Sequence, residues 1–238
     1  MPATGPQATD VPATGPADRV WYAAYGSNMS LERLSYYLSG GTPPGAARSC
    51  PGCRDARPPE RSVPVLLPGR LYFAGRSVLW TGGIAFYDPF DEGELPARAH
   101  LLSAGQFSDI AAQETGRAPG AELDLREVLA TGRSRRGAGR YETLVCPGRL
   151  DGLPVLTFTA PGRSADAGLN GPAPAYLRQL AAGLREAHGW STRRIAGYLS
   201  SRPGASGAWT PTEVAALVTA AAPRGPRPGP ARFPRRVP

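Results

Sequence analysis

The fold turns on the stretch Val20-Trp21-Tyr22-Ala23-Ala24-Tyr25-Gly26-Ser27-Asn28-Met29-Ser30-Leu31-Glu32-Arg33-Leu34. Residues 20–25 form a short apolar and aromatic run closed by a glycine, the pattern of a β-strand. Leu31, Leu34 and Leu38 then recur at helical spacing. A strand that turns abruptly into a helix leaves the helix's first N–H groups unpaired, and glycine lets backbone approach a ligand closely. Tyr25, Gly26, Ser27 and Asn28 therefore read as a cradle for an anion or carboxylate. Serine and asparagine are also ordinary N-cap residues, so cap and cradle both stay open on spacing alone. The junction is not a nucleophile elbow, because the second glycine of Gly-x-Ser-x-Gly is missing.

Outward from this junction, strand and helix patterns alternate. Residues 70–74, 83–87, 97–102, 140–146 and 154–160 are aromatic and β-branched runs that bring the expected strands to six. Helical spacing returns in Phe107, Ile110 and Ala111, in Leu177, Leu180 and Leu184, in Ile195 and Leu199, and in Val214, Leu217 and Val218. Thr210, Pro211 and Glu213 supply a capping box with proline at N1 for the last of these. Too few helices separate the strands for a doubly wound sheet, and no Gly-x-Gly-x-x-Gly opens a helix. The pattern predicts an α+β fold around a small mixed or barrel-like sheet. Residues 40–68 and 115–139 fit neither pattern and are expected to be long surface loops, with a helical patch inside the second.

Composition narrows the chemistry. The 238 residues contain 27 basic and 19 acidic side chains, a net charge of +8, and every basic residue is arginine. A lysine nucleophile, a Schiff base and a P-loop lysine are thereby excluded. Thirty glycines and 27 prolines accompany the arginines, a bias that points to a GC-rich genome rather than to a nucleic-acid binder. Residues 1–19, with Pro-Ala-Thr-Gly-Pro twice, read as a disordered leader, and residues 223–238 as a disordered tail with five arginines and no acid. The domain is expected over 20–200, where 20 arginines face 16 acids, with a linker and short helix over 201–222. Nucleic acid is not the expected partner, since tail charge comes without a groove-reading element. Few cysteines, no apolar leader and no long apolar run make a cytoplasmic protein without a membrane anchor the expectation.

Two further constellations carry possible chemistry. Ser103 and Gln106 have capping-box spacing, and seven residues at 100° each bring Glu114 to within about 20° of Phe107 on the buried face. Desolvation there raises a carboxyl pKa and suits it to general acid/base work; a glutamate at a fraying helix end that reaches out to water fits the same periodicity. Cys50-Pro-Gly-Cys53 is half a zinc site or a redox pair. With only His100, His188 and three cysteines in the chain, a closed zinc site would take nearly all of them, so neither metal nor cofactor is expected.

Together these motifs resemble the γ-glutamylcyclotransferase family: a strand running into Tyr25-Gly-Ser-Asn28 and a helix, Gly69-Arg-Leu-Tyr-Phe73, Trp80-Thr-Gly-Gly-Ile-Ala85, Gln113-Glu114, and Pro172-Ala-Pro-Ala-Tyr176-Leu-Arg-Gln-Leu180 running on to His188-Gly189. The resemblance covers roughly residues 20–200. It implies a small β-barrel flanked by helices and a metal-independent enzyme that cleaves γ-glutamyl amides by internal attack, releasing 5-oxoproline and an amine. It further implies that Tyr25, Gly26, Ser27 and Asn28 hold the γ-glutamyl group, that Glu114 is the acid/base, and that Tyr141 and Tyr176 line the pocket. Phe158 stands where the family commonly has a tyrosine, and both long segments look expanded, which leaves the departing amine open. Two other readings remain beside it: an amide hydrolase or deacylase in which Glu114 activates water, and a non-catalytic binding module on the same fold.

Overall fold

The computed structural model describes residues 18–43, 49–77 and 81–220. Eight strands and six helices run in the order β1 (Arg19–Ala24), α1 (Leu31–Ser39), β2 (Arg61–Pro68), β3 (Arg70–Ala74), β4 (Ile84–Asp88), β5 (Glu94–Ser103), α2 (Ala104–Glu114), α3 (Arg126–Thr131), β6 (Arg133–Arg135), β7 (Thr143–Leu150), β8 (Leu153–Thr159), α4 (Pro174–His188), α5 (Thr192–Ser200) and α6 (Pro211–Ala220). Six strands form one mixed sheet ordered β2-β5-β1-β8-β7-β6, and β3 and β4 pair separately. The class is α+β, as the sequence implies. The expected barrel is not formed: the six-stranded sheet stays open, and the β3–β4 hairpin is a second, two-stranded sheet.

Strand β1 lies inside the sheet, antiparallel to β5 and parallel to β8. Because successive side chains point to opposite faces, its unbroken apolar run feeds two cores. Trp21, Ala23 and Tyr25 pack with β3, β4 and the three C-terminal helices, while Val20, Tyr22 and Ala24 pack with α1, α2 and Phe158. The hairpin is tied to the main sheet through Thr159, whose hydroxyl accepts from Tyr87 N–H at 2.9 Å and donates to Tyr87 O at 2.7 Å. At the hairpin's end, buried Asp88 takes Arg163 Nε and Ser164 N–H, each at 2.9 Å.

All six expected strands are present. The two segments read as long loops contain more structure than that. Residues 61–68 form the edge strand β2, paired along its length with β5. Residues 126–131 are α3, which overlaps the helical patch expected over 123–129, and residues 133–135 are the opposite edge strand β6. Edge strands need bury only part of one face, and β2 carries Pro64, Pro68 and Arg61, so its pattern lacks a clean alternation. Tyr141, expected at a strand start, sits in the turn before β7 with φ 58°. Both expected capping boxes form, at Ser103 with Gln106 and at Thr210 with Glu213. Of the proposed leader and tail, only Asp18 and Arg19 lie within the described residues, and Arg19 already opens β1.

Helix α4 braces the turn that follows β1. A Cβ placed on Gly183 would meet Met29 Cβ at 2.6 Å, closer than two carbons approach. Alanine at this helical position gains about 1 kcal/mol of intrinsic propensity, while overpacking against a fully buried neighbour costs about 1–3 kcal/mol. We expect Gly183→Ala to lower the urea midpoint of unfolding by a net of about 1 kcal/mol of stability. A raised midpoint would show that the turn moves freely.

Candidate active site

Beyond Ala24 the chain leaves β1 and makes a single 3₁₀ turn, Ser27–Met29, before α1 starts. Met29 N–H bonds to Gly26 O at 3.2 Å and Ser30 N–H to Ser27 O at 3.2 Å. The Ser27 and Asn28 N–H groups stand in the turn's first positions, without an acceptor inside it. Neither Ser27 nor Asn28 caps through its side chain. Of the two readings the residues left open, side-chain capping is absent here.

The turn is held from beneath by a histidine on β5. His100 is fully buried, with Nε2 3.1 Å from Asn28 O and Nδ1 2.8 Å from Ser62 Oγ. A carbonyl only accepts, so Nε2 carries the proton, and Nδ1 accepts from the serine hydroxyl. Burial pushes the imidazole pKa down to about 4, consistent with this neutral form. Ser62 lies on β2, so the strand hidden in the first long segment helps to fix the turn.

A cavity of about 250 Å³ opens above the turn. All seven residues singled out in the sequence, Tyr25, Gly26, Ser27, Asn28, Glu114, Tyr141 and Tyr176, line it. Tyr22, Arg33, Tyr37, Arg140 and Phe158 complete most of the wall. Tyr22 lies on the β1 face that packs against α2, the helix of Glu114, and Arg33 and Tyr37 are spaced i, i+4 on one side of α1. Arg140 comes with the turn before β7, which no local pattern announces. The tyrosine hydroxyls are tied to backbone: Tyr25 donates to Phe158 O at 2.8 Å, Tyr141 donates to Ala85 O at 2.9 Å, and Tyr176 accepts from Ala85 N–H at 3.3 Å. Trp80, part of the family motif, lies outside the described residues.

Glu114 is the last residue of α2. The residue as a whole is half-buried, but its carboxyl is packed round by protein, and this burial raises its pKa above the usual carboxylate value. Three contacts pull the other way without overcoming burial: a hydrogen bond from Tyr37, the positive charge of Arg33, and Asn28 Nδ2 donating to Oε1 at 3.0 Å. The negative end of the helix dipole also disfavours the anion at this position. Tyr37 is positioned in turn by Gln113 Nε2, which donates to its carbonyl at 2.9 Å, and by Cys53 Sγ, which donates to the same oxygen at 3.2 Å. Asn28 Oδ1 is buried with no hydrogen-bond partner, an acceptor left beside the carboxyl for whatever enters the cavity.

Cys50 and Cys53 are free thiols, and burial pushes Cys53 up to about 12. That value suits a structural donor and not a reactive thiolate. Among the described residues no three His, Cys, Asp or Glu side chains gather as a metal-binding group, and no helix is long and apolar enough to cross a membrane.

The depressed His100 pKa sets a pH dependence. An unfolded histidine takes a proton near its ordinary 6.5 while the folded one resists until about 4. The stability from His100 is therefore complete above pH 6.5 and is lost as pH falls through that window, about 3 kcal/mol in all. Urea unfolding of wild type and His100→Gln from pH 4 to 7 should show a steeper fall in wild type. Parallel curves would mean that the histidine protonates without cost.

No protein-family model matches the sequence. Histone deacetylase 5 of Arabidopsis thaliana is 31% identical over 200 residues, covering 76% of this chain, and the chain spans 30% of that protein's length. Among solved structures, a gamma-glutamyl cyclotransferase is similar at 14% identity and a TM-score of 0.43, with 85% of this chain and 99% of that one covered. An uncharacterized Homo sapiens protein is similar at 14% identity and a TM-score of 0.46, with the same 85% and 99% coverage. YkqA from Bacillus subtilis is similar at 15% identity and a TM-score of 0.40, covering 78% of this chain and 56% of its own.

Proposed function

We propose that the protein cleaves a γ-glutamyl amide by intramolecular attack, releasing 5-oxoproline and a free amine. The observation that carries this reading is the Glu114 carboxyl, buried at the wall of the cavity with Asn28 Nδ2 at 3.0 Å, in the same cavity as Ser27 and Asn28, whose N–H groups have no acceptor inside the turn. A carboxyl whose pKa is raised toward that of its partners can both take and return a proton near neutral pH. Nothing else in the reaction requires an enzyme nucleophile.

In the reaction, Glu114 in its ionised form accepts a proton from the α-ammonium of the substrate. The freed amine attacks the γ-carbonyl carbon and forms the new C–N bond of a five-membered ring. The Ser27 and Asn28 N–H groups meet the developing oxyanion. The tetrahedral centre collapses as the amide C–N bond breaks, and Glu114 returns its proton to the departing nitrogen. The second proton lost by the attacking nitrogen follows the same route, so the amine leaves as an ammonium ion. Because nucleophile and electrophile share one molecule, holding the chain in a curled form supplies much of the acceleration. The aromatic walls of Tyr22, Tyr25, Tyr141, Phe158 and Tyr176 restrict that chain and exclude water.

Release of 5-oxoproline from a panel of γ-glutamyl amides tests the reading. Glu114→Gln should lower kcat by about 10²–10⁴-fold, the usual worth of a positioned acid/base. The acidic limb of kcat/KM should lie above the ordinary carboxylate range, since free Glu114 must be ionised to act and burial raises its pKa. Release of glutamate in place of 5-oxoproline would indicate water activated by Glu114, and full activity in Glu114→Gln would remove the residue from the mechanism.

A further inference from the structure

Arg33 is a charged residue of this cavity that the mechanism above does not use. It rises from the first turn of α1 and lines the wall, with its guanidinium 5.5 Å from the centre of the Tyr37 ring. Its Nε is buried and has no hydrogen-bond partner. Among the described residues it forms no ion pair, whereas Arg54 and Arg163 are each engaged with a buried aspartate. Arg33 and Glu114 act on one another through the cavity, and Tyr37 and Tyr176 feel the same positive charge. Yet no ion pair between them forms within 4.0 Å. Opposite charges that share a small cavity without pairing leave a gap that a zwitterion fills.

Resting on the γ-glutamyl reading, we infer that Arg33 holds the α-carboxylate of the substrate while Glu114 faces its α-ammonium. A guanidinium presents N–H donors in a planar fork that matches a carboxylate, and a buried donor such as Nε gains most from such a partner. Each charge of the α-amino-acid end then meets its opposite, while the Ser27 and Asn28 amides remain for the γ-carbonyl oxygen. Asn28 Oδ1, also without a partner, accepts a further N–H from the ammonium. Arg140 stands at the exposed mouth, where water screens it, and is not needed for this recognition. Arg33 is thus a specificity residue: it separates a γ-glutamyl amide from its decarboxylated 4-aminobutanoyl counterpart, which could close the same ring.

The test uses ligands that do not turn over. 5-Oxo-L-proline and 2-pyrrolidinone share the lactam ring and differ only by the carboxylate. Calorimetric titration into the full chain should show 5-oxo-L-proline binding about 30-fold more tightly than 2-pyrrolidinone, the scale of one charge-assisted contact. In R33Q the preference should fall to within about threefold, with 2-pyrrolidinone affinity and Tm unchanged, and R33K should recover part of it. The inference is overturned if wild type shows no preference, if it binds neither ligand, or if R33Q weakens both ligands equally. Release of 5-oxoproline from γ-glutamyl amides is measured separately. A protein with an Arg33-dependent carboxylate preference but no such release would sink the cyclotransferase reading and leave the carboxylate site standing.

Discussion

Burial of β1 on both faces is the constraint on which the rest depends. Trp21 and Tyr22 are neighbours in the chain and belong to different cores. Each large side chain buried this way contributes about 1.5–3 kcal/mol, so moving the strand by one residue would exchange the contents of both cores at once. The end of β1 is therefore fixed in space, and with it the start of the turn whose Ser27 and Asn28 line the cavity. Everything around the turn preserves that position. His100 takes the Asn28 carbonyl from below, Met29 presses on Gly183 of α4, and Arg98 Nη1 donates to Met29 O at 3.1 Å.

Glu114 shows how the same packing tunes chemistry. A carboxyl at the last turn of a helix ordinarily reaches water, because the backbone frays there. Here Tyr37 and Arg33 from α1 and Asn28 from the turn before it close over it. Their contacts stabilise the anion, but burial outweighs them, and the balance leaves the pKa raised. Gln113, one residue earlier, is equally committed: its amide and the Cys53 thiol share the Tyr37 carbonyl. The Cys50-Pro-Gly-Cys53 motif thus enters the site as support, and the Cys53 thiol is a donor in the wall behind it.

The arginine surplus separates into distinct roles. Arg54 and Arg163 each hold a buried aspartate, Asp109 and Asp88, and so tie loops to the core. Arg61 lies over Trp21 and Arg194 over Trp190, where the flat guanidinium covers an aromatic face. Arg33 lies over Tyr37 but, among the described residues, enters no ion pair although it lines the cavity of Glu114. The basic residues of 223–238 lie outside the described residues and take no part in this division.

The sequence by itself determined the central strand, the turn and helix after it, the buried face of α2 that carries Glu114, and the helix caps at Ser103 and Thr210. These depend on contacts within a few residues, and side-chain periodicity records them directly. Only the tertiary structure decided that the sheet stays open, that residues 61–68 are its edge, and that Arg33, Tyr37 and Arg140 share a cavity with Tyr176, whose helix lies more than a hundred residues beyond α1. Edge strands are weakly patterned because one side faces solvent, and closure depends on hydrogen bonds between strands far apart in the chain. That neither Ser27 nor Asn28 caps a helix through its side chain was settled in the same way. It depended on what packs above the Ser27–Met29 turn, and no residue in the turn records that.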